Sequence, residues 1–218
     1  MYSIEQLAVE RGGQMIVSGV DLTLEAGWGL QIHGANGSGK TTLLGALAGL
    51  LPLARGSVYW RGDNVCHAPR QFRRDLAFVG HANGVSDDLT VQENIRFSAL
   101  LGGADAPLAN DRAATSRENE VLEQAGLIGL RHARLNRLSQ GQRRRVALAR
   151  LVLSRKPLWL LDEPADALDE AASDWLTRCI DAHLDEGGVV ALTTHRPLET
   201  GVARTRHLYL NGSGGWLT

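Results

Sequence analysis

The sequence predicts an α/β domain with a largely parallel sheet and a helical piece inserted into the chain. Three observations carry this. The stretch GANGSGKTT, Gly34 to Thr42, follows an alternating apolar run and precedes an apolar helical one. The run LWLLDEP, Leu158 to Pro164, sets four apolar residues before two carboxylates. Between about Gly84 and Leu138, β-like texture gives way to helical spacing. A length of 218 residues suits one large domain with an ample core.

The elements follow in order. Residues 2 to 33 read as short strands, with Ile4, Leu7 and Val9 apolar in the first and Val20, Leu22 and Leu24 alternating in the second. Glu25-Ala26-Gly27 is a turn, and Trp28, Leu30 and Ile32 then alternate in the strand that feeds GANGSGKTT. Leu43 to Leu51 predicts a buried helix, and Pro52 to Gly56 a break. Ser57–Trp60 and Asp75–Gly80 are two further strands. Leu89 to Leu101 predicts a helix with Thr90 as cap and Glu93 three residues on. Gly102 to Ser116 is small and polar, a loop, and Arg117 to Leu130 is a second helix weakened near Gly126. Leu138 to Ser154 predicts a helix capped by Ser139. Its Arg143, Arg144, Arg145 and Arg150 need exposed or paired positions. Leu158 to Leu161 suits a buried parallel strand. Ala167 to Asp169 opens a helix running to about Glu186, and Gly188 to His195 repeats the plan of turn, buried strand and polar strand end.

The chemistry lies at the strand ends. Gly34, four residues, then Gly39, Lys40 and Thr41 match a P-loop between strand and helix. Glycines let the amides of Gly34, Ala35, Asn36, Gly37, Ser38, Gly39, Lys40, Thr41 and Thr42 turn toward one point, where a helix N-terminus adds positive potential. Lys40 can meet the outer phosphates, and the Thr41 hydroxyl can ligate Mg²⁺. Of the 23 lysines and arginines only Lys40 and Lys156 are lysine. A compact ammonium thus stands where a planar guanidinium would not fit between phosphates. Asp162 and Glu163 emerge at a strand's C-terminal end, where open α/β sheets bind ligands. Asp162 suits a Mg²⁺ contact and Glu163 a base for an attacking water. His195 can donate to a terminal phosphate. Gly141 lets a ligand approach the backbone of the helix that Ser139 caps.

A net charge of −1 argues against a broad basic field for nucleic acid. The two cysteines, Cys66 and Cys179, lack metal-ligand spacing and predict buried thiols in a reducing compartment. No apolar run reaches the ~20 residues that cross a bilayer, and the N-terminus lacks a signal-peptide core. The expectation is a chain soluble by itself that needs a partner for any membrane work.

The ordered set GANGSGKTT, LSQGQ, LLDEP, ALD and TTH resembles the nucleotide-binding subunit of ATP-binding cassette (ABC) transporters, over nearly the whole chain. The resemblance implies a P-loop NTPase core of ABC type with an N-terminal β-subdomain and an inserted α-helical subdomain. The core would span 1–83 and 139–218, and the helical part 84–138. It also implies ATP and Mg²⁺ as ligands, with Lys40, Glu163 and His195 catalytic and Thr41 and Asp162 at the metal. A head-to-tail homodimer follows, in which Ser139, Gln140, Gly141 and Gln142 contact the partner subunit's nucleotide.

More narrowly, ERGGQMIVSGVDLTLEAG, VGHANGVSDDLTVQEN, QGQRRRVALARLVL with PLWLLDEP, and GGVVALTTHRPLE are similar to the ATPase of the cytochrome c maturation system, haem exporter protein A. That family implies a peripheral protein on the cytoplasmic face of the bacterial inner membrane, working with integral membrane subunits. It links ATP hydrolysis to release of a haem-loaded periplasmic chaperone. The alternative is the ATPase of an unrelated ABC exporter. Cys66-His67 is not a CxxCH attachment pattern, so direct haem binding is not expected. Two residues depart from the general cassette pattern. His81 stands where a glutamine usually meets Mg²⁺ or the attacking water; a neutral imidazole can bond water, whereas a protonated one opposes the metal. Arg11 stands where an aromatic ring usually stacks on adenine, which predicts weaker or less base-selective nucleotide binding.

Overall fold

The computed structural model describes residues 1–101, 112–195, 198, 204–211 and 215–217. In chain order these form β1 (Tyr2–Arg11), β2 (Gln14–Leu24), β3 (Gly29–Gly34), α1 (Lys40–Leu47), β4 (Arg55–Trp60), β5 (Asp63–Asn64), α2 (Pro69–Asp75) and β6 (Leu76–Val79). There follow α3 (Val91–Leu101), α4 (Arg112–Gln124), α5 (Gln140–Ser154), β7 (Leu158–Asp162), α6 (Glu170–Asp185), β8 (Val189–Thr194), β9 (Thr205–Leu210) and β10 (Gly215–Leu217). They fall into two compact units. The first is Met1–Gly80, Lys156–Pro164 and Ile180–Thr218; the second is His81–Arg155 and Ala165–Cys179. The second unit thus takes in α5 and the segment after LLDEP as well as the stretch 84–138.

The first unit holds two sheets. The antiparallel one has the order β2-β1-β4-β5. Its first two strands are long rather than short. The three-residue step between buried Ile4 and Leu7 reflects a bulge: Gln6 has φ 46°, and the register shifts there, so both side chains face inward. The second sheet has the order β10-β9-β3-β8-β7-β6, with only β10 antiparallel to its neighbour. Its central strands β3, β7 and β8 are buried along nearly their whole length, which explains the apolar runs of β7 and β8, whereas β3 alternates and buries Gln31 and His33. Trp28 lies just before β3 rather than in it. Tyr2 is fully buried and donates its hydroxyl to Leu47 O at 2.7 Å; burial holds this phenol far above its usual pKa.

Several boundaries differ from the sequence expectation. The helix after the P-loop stops at Leu47, so Leu50 and Leu51 are 58% and 42% exposed instead of buried. The short α2, β5, β9 and β10 carry too few residues, or too mixed a pattern, for periodicity to reveal them. Cys66 is exposed in the turn after β5, where its amide donates to Asn64 Oδ1, and was expected to be buried. Cys179 is half-buried, and burial raises its thiol to about 11.

In the second unit, α3 begins as expected. Thr90 N donates to Glu93 Oε2 at 2.8 Å and Glu93 N to Thr90 Oγ1 at 3.2 Å, a capping box. Arg112–Ser116, expected as loop, forms the start of α4; the rest of that expected loop, 102–111, lies outside the described residues. The helix expected to reach Leu130 ends at Gln124. Gly126 at φ 65° closes it, with Leu127 N bonded to Leu122 O and Gly126 N to Glu123 O, a Schellman motif. A 3-10 turn, Ile128–Leu130, follows.

Helix α5 packs against α3 and α4. Its arginines are not a solvated cluster. Arg143 Nε donates to Leu135 O and Leu138 O, Arg144 Nη1 to Asn83 Oδ1, Arg145 Nη1 to Ala125 O, and Arg150 Nη1 to Gly84 O. Arg143, Arg145 and Arg150 thus bond backbone carbonyls of the surrounding turns, and Arg144 a side-chain amide oxygen.

Candidate functional site

The P-loop is set by what presses on it. Gly39 is the N-cap of α1 at φ 98°, and a Cβ there would lie 2.1 Å from Ile16 Cγ2 of β2, so only glycine fits. Lys40 is 5% exposed, and its Nζ donates to Gly34 O at 2.8 Å and Ala35 O at 3.3 Å. The same Nζ pairs with Glu163 Oε1 at 3.2 Å. Thr41 Oγ1 donates to the Asp162 carboxylate at 2.9 and 3.1 Å. A ring nitrogen of His195 and a carboxylate oxygen of Glu163 lie within 4.8 Å of one another. Lys40, Thr41, Asp162, Glu163 and His195 therefore form one cluster in the first unit. The parallel register explains it: β3, β7 and β8 run side by side and end at the same sheet edge.

Sequence reasoning missed Thr193. It is fully buried, opposite Asp162 in the β7–β8 register. Its Oγ1 donates to Asp162 Oδ1 at 2.7 Å and accepts from Glu163 N at 2.8 Å. One hydroxyl thus orients both carboxylate residues. Glu163 needs that tether, because its backbone sits at φ 45°, a strained conformation that costs about 1–3 kcal/mol. The available signal was a hydroxyl at the end of an otherwise apolar strand.

The residues suit a nucleotide phosphate and its metal. Ser38 Oγ is buried in the loop with no hydrogen-bond partner among the described residues, an acceptor and donor left over for a ligand oxygen. Thr41 and Asp162 supply adjacent hard oxygens, the set Mg²⁺ prefers. Arg11 Nη1 donates to Thr42 Oγ1 at 3.0 Å and brings a cation to the first turn of α1.

The second unit carries the remaining predicted residues. Ser139 caps α5 in a reciprocal capping box: Gln142 N donates to Ser139 Oγ at 3.2 Å, and Ser139 N to Gln142 Oε1 at 2.9 Å. Ser139 and Gln140 are exposed. Gly141 has a reason within the chain for its missing side chain, since a Cβ would lie 2.5 Å from Ala167 O. His81 opens this unit and is exposed.

A P-loop cluster at the edge of a parallel sheet in one unit, and a capped LSQGQ helix start in the other, are the marks of an ATP-binding cassette. The sequence profile described as "ABC transporter" matches residues 17–166. The cytochrome c biogenesis ATP-binding export protein CcmA of Paraburkholderia xenovorans is 62% identical, over all of both chains. A protein of the same name from Salmonella typhi is 42% identical, again over all of both. Among solved structures, a dimeric bacterial ABC transporter cassette is similar at TM-score 0.83 and 25% identity, covering 98% of this chain and 96% of that one. The chain belongs to the ABC transporter family, in the branch of the cytochrome c biogenesis ATP-binding export proteins.

Proposed function

We propose that this chain is the ATP-hydrolysing subunit of a cytochrome c maturation complex, in which hydrolysis drives release of a haem-loaded periplasmic chaperone. The observation that carries the enzymatic half is the tie of Lys40, Thr41, Asp162 and Glu163 through Thr193 into one constellation. Support for the cellular half is the name of the relatives with which the chain shares its full length.

The residues divide the work. Lys40 and the loop amides neutralise charge on the outer phosphates, and Glu163 orients water for in-line attack and accepts its proton. Because Lys40 pairs with Glu163, an arriving phosphate competes with that carboxylate for the ammonium. His195 donates to the γ-phosphate. Thr41 and Asp162 would hold Mg²⁺, which supplies neutralisation of the phosphate oxygens when bound. Two copies pair head to tail, and Ser139, Gln140, Gly141 and Gln142 of one close on the nucleotide of the other. No helix among the described residues is long and apolar enough to cross a membrane. In this reading, integral membrane subunits recruit the chain to the cytoplasmic face of the inner membrane, with the surface around His81 and the helical stretch 84–138 as their contact.

The test uses cells whose only copy is Glu163→Gln. Loss of c-type haem staining, with other haem proteins intact, is the expected result. Normal c-type cytochromes beside a variant shown to be inactive as an ATPase would redirect the chain to another exporter.

A further inference from the structure

We propose that Thr193 is a positioning residue that sets the rate of ATP hydrolysis and has no share in holding the nucleotide. This rests on the reading of Glu163 as the base of that reaction, and it names the group that holds Glu163 in place.

Strand β8 is apolar from Val189 to Leu192, and Thr193 then sets a hydroxyl at a fully buried point. Burial of that hydroxyl without partners would be costly. Its neighbours fix which way its bonds run. A carboxylate oxygen accepts and a peptide N–H donates. The one hydroxyl proton therefore goes to Asp162 Oδ1 at 2.7 Å, and the oxygen receives Glu163 N at 2.8 Å.

The two bonds hold different things. The bond to Asp162 fixes a side chain that has a second anchor, the Thr41 hydroxyl at 2.9 and 3.1 Å. The bond from Glu163 fixes a backbone. Strand β7 ends at Asp162, and Glu163 turns out of it at φ 45°. That turn carries its carboxylate to 3.2 Å from Lys40 Nζ. A left-handed backbone in a residue with a side chain persists only where its surroundings impose it. Thr193 Oγ1, itself fixed by Asp162, supplies that constraint.

The consequences for binding and for turnover differ in sign. Lys40 has Gly34 O and Ala35 O as partners independently of Thr193, so the loop that receives phosphate stays formed without it. Glu163, once its backbone is released, competes less for the same ammonium. A chain without the Thr193 hydroxyl should therefore bind a nucleoside diphosphate as well as wild type, or better, and hydrolyse ATP slowly. A threonine that only packs the strand end would instead make binding and turnover fall together.

The test compares full-length wild type with Thr193→Val, Thr193→Ala and Thr193→Ser. Valine keeps the β-branched shape and loses the hydroxyl. Alanine is a second removal that does not depend on how valine packs, and serine keeps the hydroxyl. Phosphate release and affinity for a fluorescent ADP analogue, both with Mg²⁺, are measured beside the melting temperature. Both removals should lower kcat by about 10²-fold, the loss typical of a group misplaced by about 1 Å. Their affinity for the ADP analogue should stay within about threefold of wild type or tighten. Thr193→Ser should return kcat to within about fivefold of wild type. In a Glu163→Gln background, Thr193→Val should slow turnover no further, because the group it positions is already gone. Wild-type kcat in both removals overturns the inference. So does an equal loss of affinity and kcat, a Thr193→Ser variant no faster than Thr193→Val, or a full further loss in the Glu163→Gln background. Loss of the fold in both removals overturns it too, since the hydroxyl would then hold the sheet rather than the reaction. Full turnover in Glu163→Gln alone overturns the reading of Glu163 as the base, and this inference falls with it.

Discussion

The functional residues of the two units are held in different ways. In the first, they are bonded to one another: Lys40 to Glu163, Thr41 to Asp162, and Thr193 to both carboxylate residues. In the second, the side chains of Ser139 and Gln142 cap each other's backbone at the exposed start of α5, while the arginines further along that helix hold the surrounding turns. The first unit is a reaction centre whose parts position each other. The second presents a rigidly capped helix start whose polar groups stay at the surface. Damage to the first should stop chemistry; damage to the second should spare nucleotide binding and affect what happens between copies.

The sharpest break is Lys40→Arg. The ammonium fits between Gly34 O, Ala35 O and Glu163 and is almost wholly buried, so a larger planar group must leave the pocket or distort it. Phosphate release should fall by about 10²–10⁴-fold, the usual loss for a misplaced charged group in such a site, with the melting temperature close to wild type. Near wild-type turnover would remove Lys40 from the chemistry.

A smaller effect of another kind is expected from Ser139→Ala. Loss of the cap costs about 1 kcal/mol of stability. If Ser139 also meets the partner subunit's nucleotide, turnover should fall by about tenfold or more, roughly the worth of one hydrogen bond to a charged group, while ATP binding at dilute protein is unchanged. A variant that loses only the stability of the cap, with turnover per folded dimer intact, would reduce Ser139 to a helix cap and weaken the contrast between the units.

Much of this contrast was legible before any coordinates. The residues that do chemistry sit in a fixed order, and parallel strands place successive strand ends along one edge, so Lys40, Asp162, Glu163 and His195 could be assembled from the sequence. The Thr90 and Ser139 caps were legible too, because a cap depends on residues three apart. Thr193 was not, because its role depends on which strand lies beside β7, a register that no local pattern carries. The arginines of α5 escaped for the same reason. Most of their partners are backbone carbonyls, up to 66 residues away, and carbonyls leave no trace in composition. The end of α1 was overrun because Leu50 and Leu51 continue an apolar spacing that the chain abandons at Gly49.

The smallest expected effect tests whether the units also differ in their response to acid. The first unit contains two shielded histidines. His183 stacks on Trp159 with ring centroids 3.9 Å apart, and burial lowers its pKa against the opposing pull of nearby carbonyls and Glu186. His33 stacks on Tyr209 and bonds to His207; burial and the charge of His207 lower it too. In the second unit, His81 and His132 are exposed. A histidine whose folded pKa lies below its unfolded value of about 6.5 binds its proton more readily when the chain is unfolded. Its stabilising contribution is fully present above that unfolded value and is lost as pH falls toward the folded one. Between neutral pH and about pH 5, hydrogen exchange should therefore rise in β8 before it rises in α5, allowing for the intrinsic pH dependence of exchange. His183→Gln should flatten the dependence of β8 whatever it does to absolute stability. An equal acid response in β8 and α5, or an unchanged slope in the variant, would show that the shielded rings do not set the acid limit of the first unit.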